Sequence, residues 1–293
     1  MDQAEQLRKM VQQSETRPTA RVLTVTSGKG GVGKSSISIN LAIWLARAGK
    51  RVVIFDADFG LANIEVMLGI RPQYNLADLM FRGKELKDII TPGPENVNFI
   101  SGGSGIQELA RMNRDQVLYL TRKLVELDGL ADYIIIDTGA GIADNVLEFV
   151  AASEEVLLVA TPEPTSITDA YALLKALNRK ADFSQRNTAI RMIANRVKNS
   201  EDGKNLYENM NAVVGKFLHL SLQYMGAVPQ DDQISKAVMK QKPISLINPS
   251  APSAQAIQQL ADQLLPDDGT EKRKSRGISQ LFSSLIRSRM RKK

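Results

Sequence analysis

Short runs of apolar, often β-branched residues recur along the chain and are separated by longer periodic segments. Most runs lack a clean apolar–polar alternation, which is typical of strands covered on both faces. They predict strands at Arg21–Thr26, Arg51–Phe55, Val97–Ser101, Tyr133–Asp137, Glu155–Ala160 and Ala189–Asn195. The segments between them predict helices at Lys34–Ala48, Arg114–Leu127, Asp144–Ala152, Ser166–Arg179 and Asn205–His219. This alternation predicts an α/β fold with a largely parallel sheet flanked by helices on both faces.

The junction between the first predicted strand and the first predicted helix carries the pattern G-x-x-x-x-G-K-[ST]. Glycines at this position let backbone N–H groups converge on phosphate oxygens, and the helix N-terminus adds a positive end. Lys34 would lie along the terminal phosphates, and Ser35 would offer its hydroxyl to Mg²⁺. The predicted nucleotide-binding residues of this loop are Gly28, Lys29, Gly30, Gly31, Val32, Gly33, Lys34, Ser35 and Ser36.

The loop resembles that of the deviant-Walker P-loop ATPases of the MinD/ParA class, which reads K-G-G-x-G-K-[ST], because Lys29 stands where that class has a second lysine. The resemblance implies a SIMIBI-type P-loop NTPase fold, Mg²⁺-dependent hydrolysis of ATP to ADP, and a homodimer formed with ATP. In that class the second lysine reaches the partner's nucleotide, where a cation neutralises charge on the transferring phosphoryl group. Lys29 and Lys34 are therefore predicted catalytic residues, with an ordinary solvated lysine as the alternative for Lys29.

The second predicted strand is followed by acidic and amide residues in the order D-x-D and then N. Ligands bind at the carboxyl ends of strands in open α/β sheets. The segment resembles the first switch of the MinD/ParA class. That resemblance implies that Asp58 orients the attacking water, that Asp56 supports the outer shell of the metal, and that Asn63 is a switch residue. A turn held by side-chain hydrogen bonds is the alternative.

The predicted strand Tyr133–Asp137 ends in Asp-Thr-Gly-Ala-Gly, which resembles the second switch of the same class. The resemblance implies that Asp137 holds Mg²⁺ through water, which this ion retains readily. Gly139 and Gly141 would let the switch loop rearrange with the γ-phosphate. The predicted metal-site residues are Ser35, Asp56 and Asp137.

Two later segments resemble the adenine pocket of the class. Asn195 ends the last predicted strand, and its carboxamide can donate and accept hydrogen bonds at once, which suits the edge of adenine. Pro229 and Asp231 match the loop that passes along the base. A plain turn is the alternative for Pro229 and Asp231.

Positive charge is concentrated in the C-terminal tail. Residues 271–293 contain nine Lys or Arg and one acid, so the rest of the chain has a net charge of −2. The near-neutral body argues against nucleic acid as a partner, and the basic end points to anionic membrane lipids. Residues spaced as one apolar helix face precede the final cations, the pattern of an interfacial helix. They are Ile278, Leu281, Phe282, Leu285 and Ile286. A helix docked on its own domain, or a disordered basic tail, is the alternative.

Residue types and segments that the sequence lacks exclude several kinds of site and segment. The chain has no cysteine, which excludes disulfides, thiolate metal sites and iron–sulfur clusters of the usual kind and fits a reducing cytosol. The first residues contain acids and no long apolar run, so we expect no secretory signal. No run of about 20 apolar residues occurs, so we expect no membrane span.

The N-terminal segment resembles the D-Q-A-x-x-L-R element of the FlhG family (also called YlxH or FleN) of flagellar number and placement ATPases. The matching residues are Asp2, Gln3, Ala4, Leu7 and Arg8. The resemblance implies stimulation of an FlhF-type signal-recognition GTPase, contact with flagellar basal-body components, and a cytoplasmic protein that associates with the inner face of the cell membrane when ATP is bound. The predicted organisation is an activator extension at 1–19, a MinD-like ATPase domain at 20–266, a linker at 267–276 and a membrane-targeting amphipathic tail at 277–293.

Other functions share the same chemistry. A MinD-like septum-site regulator is disfavoured by the N-terminal element. A ParA-type DNA-partitioning ATPase needs a basic face and salt-sensitive DNA binding, which the charge of the body disfavours. A nitrogenase-reductase-like enzyme or a cluster carrier would need cysteine ligands, which this chain lacks. In a dethiobiotin-synthetase-like ligase, the C-terminal tail would have no role.

Overall fold

The computed structural model describes residues 19–58, 63–103, 114–180, 183, 188–266 and 277–290. In these ranges eight strands form one sheet in the order β3-β4-β2-β5-β1-β6-β7-β8, and all neighbours are parallel except β3 and β4. The strands are β1 Arg21–Ser27, β2 Val52–Ala57, β3 Ile90–Pro92, β4 Asn98–Ser101, β5 Tyr133–Ala140, β6 Glu155–Ala160, β7 Ala189–Val197 and β8 Gln223–Pro229. The predicted fold class is confirmed.

Helices connect and cover these strands. The helices of the described ranges are α1 Lys34–Arg47, α2 Asn63–Leu68, α3 Leu76–Phe81, α4 Leu86–Ile89, α5 Arg114–Leu130, α6 Asp144–Ala152, α7 Pro164–Asn178, α8 Ser200–Leu218, α9 Asp232–Met239, α10 Ile244–Ile247, α11 Pro252–Asp262 and α12 Gly277–Met290. A single 3₁₀ turn at Pro94–Asn96 precedes β4. No helix in these ranges is both long and apolar enough to span a bilayer.

The sheet is buried on both faces, which explains why its strands read as continuous apolar runs. Successive strand residues point to opposite faces. Leu23 and Ile54 pack under α1 and α11 on one face. Val22 and Val53 face the other side, beneath α5 and α12. Further along that second face, Leu158 packs under α6, α7 and α8.

Two strands and several short helices lie where the hydrophobic pattern indicated none. β8 begins with exposed Gln223 and contains Gly226, so it lacks a strong apolar run. The edge strand β3 has only three residues and ends in exposed Pro92. α8 begins at Ser200, earlier than predicted, because the side chain of Asn199 accepts a hydrogen bond from the Asp202 N–H and caps the helix.

The C-terminal helix α12 packs on its own domain against α5 and α6. Ile278, Leu281, Phe282 and Leu285 are buried in the same cluster as Phe55. The Phe282 ring meets the rings of Phe55 and Phe149 edge-to-face, each at 5.9 Å between centroids. The Ile278 N–H donates a 2.8 Å hydrogen bond to Asp128 Oδ1, which satisfies one free N–H at the start of the helix. The docked helix is the arrangement given above as the alternative for the apolar stripe.

Replacing Phe282 with alanine should lower the free energy of unfolding by about 3 kcal/mol, since the change removes a fully buried ring and leaves a cavity. Chemical denaturation followed by circular dichroism measures the loss. The matched control is Gln280→Ala on the same helix, where the side chain is half-buried and the expected change is within about 0.5 kcal/mol. Equal stability of Phe282→Ala and wild type would contradict the docked arrangement of α12.

Candidate nucleotide-binding site

The phosphate loop joins β1 to α1 at the carboxyl edge of the sheet. Different structural constraints require glycine at different positions of this loop. Gly31 and Gly33 have φ angles of +76° and +97°, in the left-handed region that favours glycine. A Cβ on Gly28 would lie 2.0 Å from the backbone carbon of Asp169 in α7, so the loop approaches that helix too closely for a side chain. The sequence pattern thus encodes both the loop conformation and its packing.

Lys34 and Ser35 open α1 beside the end of β5. The hydroxyl of Ser35 donates a 2.6 Å hydrogen bond to Asp137 Oδ2, and Ser38 donates to Asp137 Oδ1 at 2.8 Å. Burial lowers the pKa of Lys34, and the nearby charges of Asp137 and Asp58 oppose that shift. Ser38 was not among the predicted residues, although it lies one turn after Lys34 on the same helix.

Asp56 and Asp137 are register partners on the neighbouring parallel strands β2 and β5. Burial, followed by the charge of Asp137, raises the pKa of Asp56 to about 8, although Asp56 accepts hydrogen bonds from the N–H groups of Asp58 and Ile64. Burial also raises the pKa of Asp137 to about 6, and the hydrogen bond from Ser35 opposes this. The site therefore holds more negative charge than its single buried lysine balances.

The two predicted switch segments meet at Asp58. β2 ends at Ala57, so Asp58 lies just beyond the strand rather than within it. The Asn63 amide donates a 2.9 Å hydrogen bond to Asp58 Oδ2, and a Cβ on Gly139 would lie 3.3 Å from Asp58 Oδ1. In the second segment the Gly141 N–H donates to the Ser27 carbonyl at 2.9 Å. The second segment is thus anchored at the end of β1, and the first lies against it through Asp58.

Lys29 lies on the exposed side of the loop. Its ammonium group donates to Glu163 Oε2 at 2.8 Å and to the Thr165 hydroxyl at 2.7 Å. The hydrogen bond from Lys29 lowers the pKa of Glu163. Sequence reasoning did not identify Glu163 and Thr165. Their position directly after β6, the neighbour of β1, is the feature that could have indicated them.

The predicted adenine-pocket residues make contacts within the protein. The Asn195 amide donates a 2.6 Å hydrogen bond to the Val32 carbonyl and so braces the phosphate loop. Asp231 caps α9 through the Gln233 N–H and accepts a 2.7 Å hydrogen bond from the Ser253 hydroxyl. Pro229 is the last residue of β8. Contact of these residues with a base stays a prediction.

Some predicted residues lie outside the described ranges. The N-terminal set Asp2, Gln3, Ala4, Leu7 and Arg8 precedes residue 19, where the description begins. The side chain of Ile286 is also outside the described part, whereas the other four residues of the apolar stripe are buried against the domain.

The acidic cluster fits a divalent cation. No group of three or more His, Asp or Glu side chains among the described residues could hold a metal by itself. Mg²⁺ is bound in nucleotide sites by one or two protein oxygens together with water and phosphate oxygens. The Ser35 hydroxyl and the Asp137 carboxylate, which are hydrogen-bonded to each other, match that requirement. Asp56, whose pKa is raised, lies next to Asp137 on the neighbouring strand.

Comparison with known proteins agrees with this geometry. The ParA family model, described as NUBPL iron-transfer P-loop NTPase, matches residues 19–265. The chain belongs to the ParA/MinD family of P-loop NTPases. Members of this family are ATPases. The sequence contains no cysteine, the usual ligand of an iron–sulfur cluster.

Individual relatives in the ParA/MinD family include an antiactivator and a flagellum site-determining protein. The chain is 41% identical to the antiactivator FleN of Pseudomonas aeruginosa over 83% of this chain and 86% of that protein. It is 33% identical to the flagellum site-determining protein YlxH of Helicobacter pylori over 93% and 92% of the two chains. The solved MinC:MinD cell division protein complex of Aquifex aeolicus shares the fold, with a TM-score of 0.66, 24% identity and coverage of 87% of this chain and 99% of that one.

Replacing Asp56 with asparagine should flatten the pH dependence of stability in the nucleotide-free protein. The folded-state pKa of about 8 lies above the ordinary 3.8, so the contribution of Asp56 is fully present below pH 3.8 and is lost as the pH rises through about 8. Asparagine has no such loss. As the pH increases through this range, the free energy of unfolding of Asp56→Asn relative to wild type should therefore rise by more than about 1.4 kcal/mol, the value of one pKa unit.

Urea denaturation at a series of pH values measures this difference, and the slope rather than the absolute stability is compared. Asp262→Asn, at an exposed position on α11, controls for the removal of one carboxylate. A constant stability difference between Asp56→Asn and wild type across the pH range would contradict the raised pKa.

Proposed function

We propose that this chain is an ATP-dependent, dimerising and membrane-associating ATPase switch that controls the number or placement of flagella. The proposal rests chiefly on one observation. The apolar helix α12 is docked on Phe55 and Phe149, which lie on the two elements next to the switch segments. A nucleotide-dependent movement of the switch segments would therefore act directly on the contacts of α12, the helix that carries the apolar stripe.

The flagellar role is supported by the relatives. YlxH is named a flagellum site-determining protein, and the similarity to it extends over 93% of this chain. FleN, which the first residues also resemble through the FlhG family, is 41% identical. Activation of an FlhF-type GTPase by residues 2–8 belongs to the same proposal and draws on the resemblance of that segment to the FlhG family.

Binding of the ATP phosphates would fall to the loop and to Lys34. Backbone N–H groups of Gly31 and Gly33 and the N-terminus of α1 favour an anion, and Lys34 adds a buried positive charge. Ser35 and Asp137 would hold Mg²⁺, with Asp56 in the outer shell. When bound, this ion stabilises charge on the phosphate oxygens. Adding positive charge also favours the ionised forms of Asp56 and Asp137.

Asp58 is the residue proposed to orient the attacking water. Its Oδ2 is held by the Asn63 amide, and Gly139 approaches Oδ1 without a side chain that would crowd it. A fixed carboxylate of this kind can accept a hydrogen bond from water and aim its oxygen at the γ-phosphorus. Both switch segments contribute to that position, so hydrolysis would require both to be in place.

Lys29 is proposed to act on the partner's nucleotide in the dimer. In the single chain it is held by Glu163 and Thr165 at the surface. Ion pairs at such exposed positions are weak because water and salt screen them. Lys29 can therefore exchange this contact for a phosphate of the second subunit, where it would neutralise developing charge. Turnover would then wait for dimerisation.

Release of α12 is the proposed output of the switch. Phe55 directly precedes Asp56 on β2, and Phe149 lies on α6, which follows the second switch segment. Movement of either segment would disturb the edge-to-face contacts that hold Phe282. A free α12 would expose its apolar stripe to anionic lipid, and two such helices in a dimer would bind with an avidity about 10²–10⁴ above one.

The variant Asp58→Ala should bind ATP, persist as a dimer and sediment with anionic vesicles, because loss of the oriented water slows hydrolysis and keeps the switch closed. In ADP it should be monomeric and stay in the supernatant. Analytical ultracentrifugation and vesicle co-sedimentation of the same samples measure both properties.

Lys34→Ala is the control that should lose ATP binding and with it both responses. Truncation after residue 276 should preserve the ATP dimer and abolish vesicle binding. The switch proposal fails if Asp58→Ala binds ATP without a change in either oligomeric state or sedimentation.

Deleting residues 2–8 should leave ATP binding and vesicle association intact and remove stimulation of a purified FlhF-type GTPase. Phosphate release by that GTPase, with full-length and shortened chains in parallel, measures the effect. A matched control replaces residues 2–8 with a Gly/Ser segment of equal length, which restores length without the side chains. Undiminished stimulation by both variants would remove the N-terminal segment from this role and favour a septal one.

A further inference from the structure

An open groove of about 540 Å³ lies beside the switch helix α2, apart from the phosphate loop. Its walls come from the end of α2, the 3₁₀ turn before β4, and the segment that joins α9 to α10. The apolar residues that line the groove are Leu68, Ile70, Pro94, Pro243, Leu246 and Ile247. Such an open, mostly apolar groove suits a protein segment better than a small molecule, which usually binds in an enclosed pocket.

The groove is separate from the nucleotide site. Its α10 wall is fixed to α1 by the Ser245 N–H, which donates to Asn40 Oδ1, and by Arg47, which donates to the Ser245 carbonyl. Arg47 is the last residue of α1, roughly 20 Å from Lys34 at the helical rise of 1.5 Å per residue. Arg47 also pairs with Glu95 of the 3₁₀ turn. The α10 wall and the 3₁₀ turn are therefore both bonded to the end of α1 that lies far from the phosphate loop.

Large apolar side chains on the wall of the groove and on the elements that form it are exposed. Met239, next to the groove-forming segment, is 84% exposed, Val66 on α2 is 58% exposed and Ile247 on the wall itself is 40% exposed. A cluster of exposed apolar groups bordering a groove is typical of a surface that another molecule covers. A partner would gain burial both inside the groove and along this border.

Unpaired positive charge flanks the same surface. Arg71, Lys240 and Lys242 are exposed and form no ion pair with any residue in the described ranges. The neighbouring acids are already engaged, since Glu65 accepts a hydrogen bond from Ser101 and Glu95 pairs with Arg47. The groove thus combines an apolar floor with a cationic border.

We propose that this groove is a docking site for an acidic, amphipathic helical segment of a partner protein. Apolar side chains at i, i+3, i+4 and i+7 of the partner would fill the floor, as in other helix-in-groove complexes. Its carboxylates would meet Arg71, Lys240 and Lys242, which gives orientation and discriminates against basic segments.

Docking in the groove is coupled to the switch through α2. Asn63 at the start of this helix holds Asp58, and Leu68 at its end lines the groove, about 8 Å away along the axis. Gly69 contacts Gln241 on the opposite wall: a Cβ there would lie 3.2 Å from the Gln241 side chain. An occupant that moves these walls moves α2, and this coupling, unlike the docking itself, rests on the proposed ATPase cycle.

The test uses the full-length chain with ADP and a fluorescent 18-residue helical peptide bearing Leu at i, i+3, i+4 and i+7 and Glu elsewhere. A twin peptide with Lys in place of each Glu is the charge control. Fluorescence anisotropy should show saturable binding of the acidic peptide and none of its twin. Lys240→Glu/Lys242→Glu and, separately, Ile247→Asp should weaken binding at least about tenfold.

The matched control is Lys175→Glu/Lys204→Glu, which reverses two exposed charges on α7 and α8, on the opposite face of the sheet. This variant should bind within about twofold of wild type. The basic tail is the same in every variant. Binding of the peptide to the tail would therefore contribute equally to the anisotropy of wild type and of the groove variants.

In the peptide assay, any of three results would overturn the proposal. They are no saturable binding below about 1 mM, equal binding of the acidic and basic peptides, and equal binding by wild type and the groove variants. A dimer in ADP that the groove substitutions abolish would also overturn it, since the groove would then be an interface between two copies of this chain. ATP binding, measured on the same samples, shows separately whether the proposed function itself fails.

Discussion

The register of β2 against β5 is the constraint on which the rest of this structure depends, because it sets Asp56 directly opposite Asp137. Adjacent parallel strands lie about 4.8 Å apart, so two buried carboxylates at this position cannot both be ionised without positive charge nearby. Lys34 offsets only part of the negative charge. The carboxyl edge of the sheet is thus poised for a cation and for the phosphates that accompany it, and their binding would relieve an unfavourable arrangement built into the fold.

The same strand connects this edge to the opposite side of the molecule. Phe55 is the residue before Asp56, and its side chain faces α12 while that of Asp56 faces the site, as alternation along a strand requires. One strand therefore carries both a carboxylate of the candidate site and an aromatic ring that contacts the C-terminal helix. Phe149 adds a second contact from the helix after the other switch segment. Stability of the docked helix and chemistry of the site share these elements.

Two lysines of one loop have opposite surroundings, and the difference matches their proposed roles. Lys34 is buried beside acids and stays with its own subunit's phosphates. Lys29 is held at the surface by Glu163 and Thr165 and can be released to a second subunit. A third connection runs through the short helix α2, which joins Asp58 to the groove at its far end. In the proposed cycle, the site would therefore respond to a second copy of the chain, to release of α12 and to a partner docked in the groove.

The sequence by itself determined the α/β class and the phosphate loop, and it indicated acids at the ends of β2 and β5. These features depend on local spacing, and consecutive glycines, a lysine and strand-end acids have few other uses in that order. Tertiary structure alone decided the contacts of Lys29 with Glu163, of Asn195 with the Val32 carbonyl, and the strand β8, whose weak apolar pattern is stabilised by its neighbours. It also decided that the apolar stripe of α12 lies against the domain, because an amphipathic sequence fits a protein surface and a lipid surface equally well.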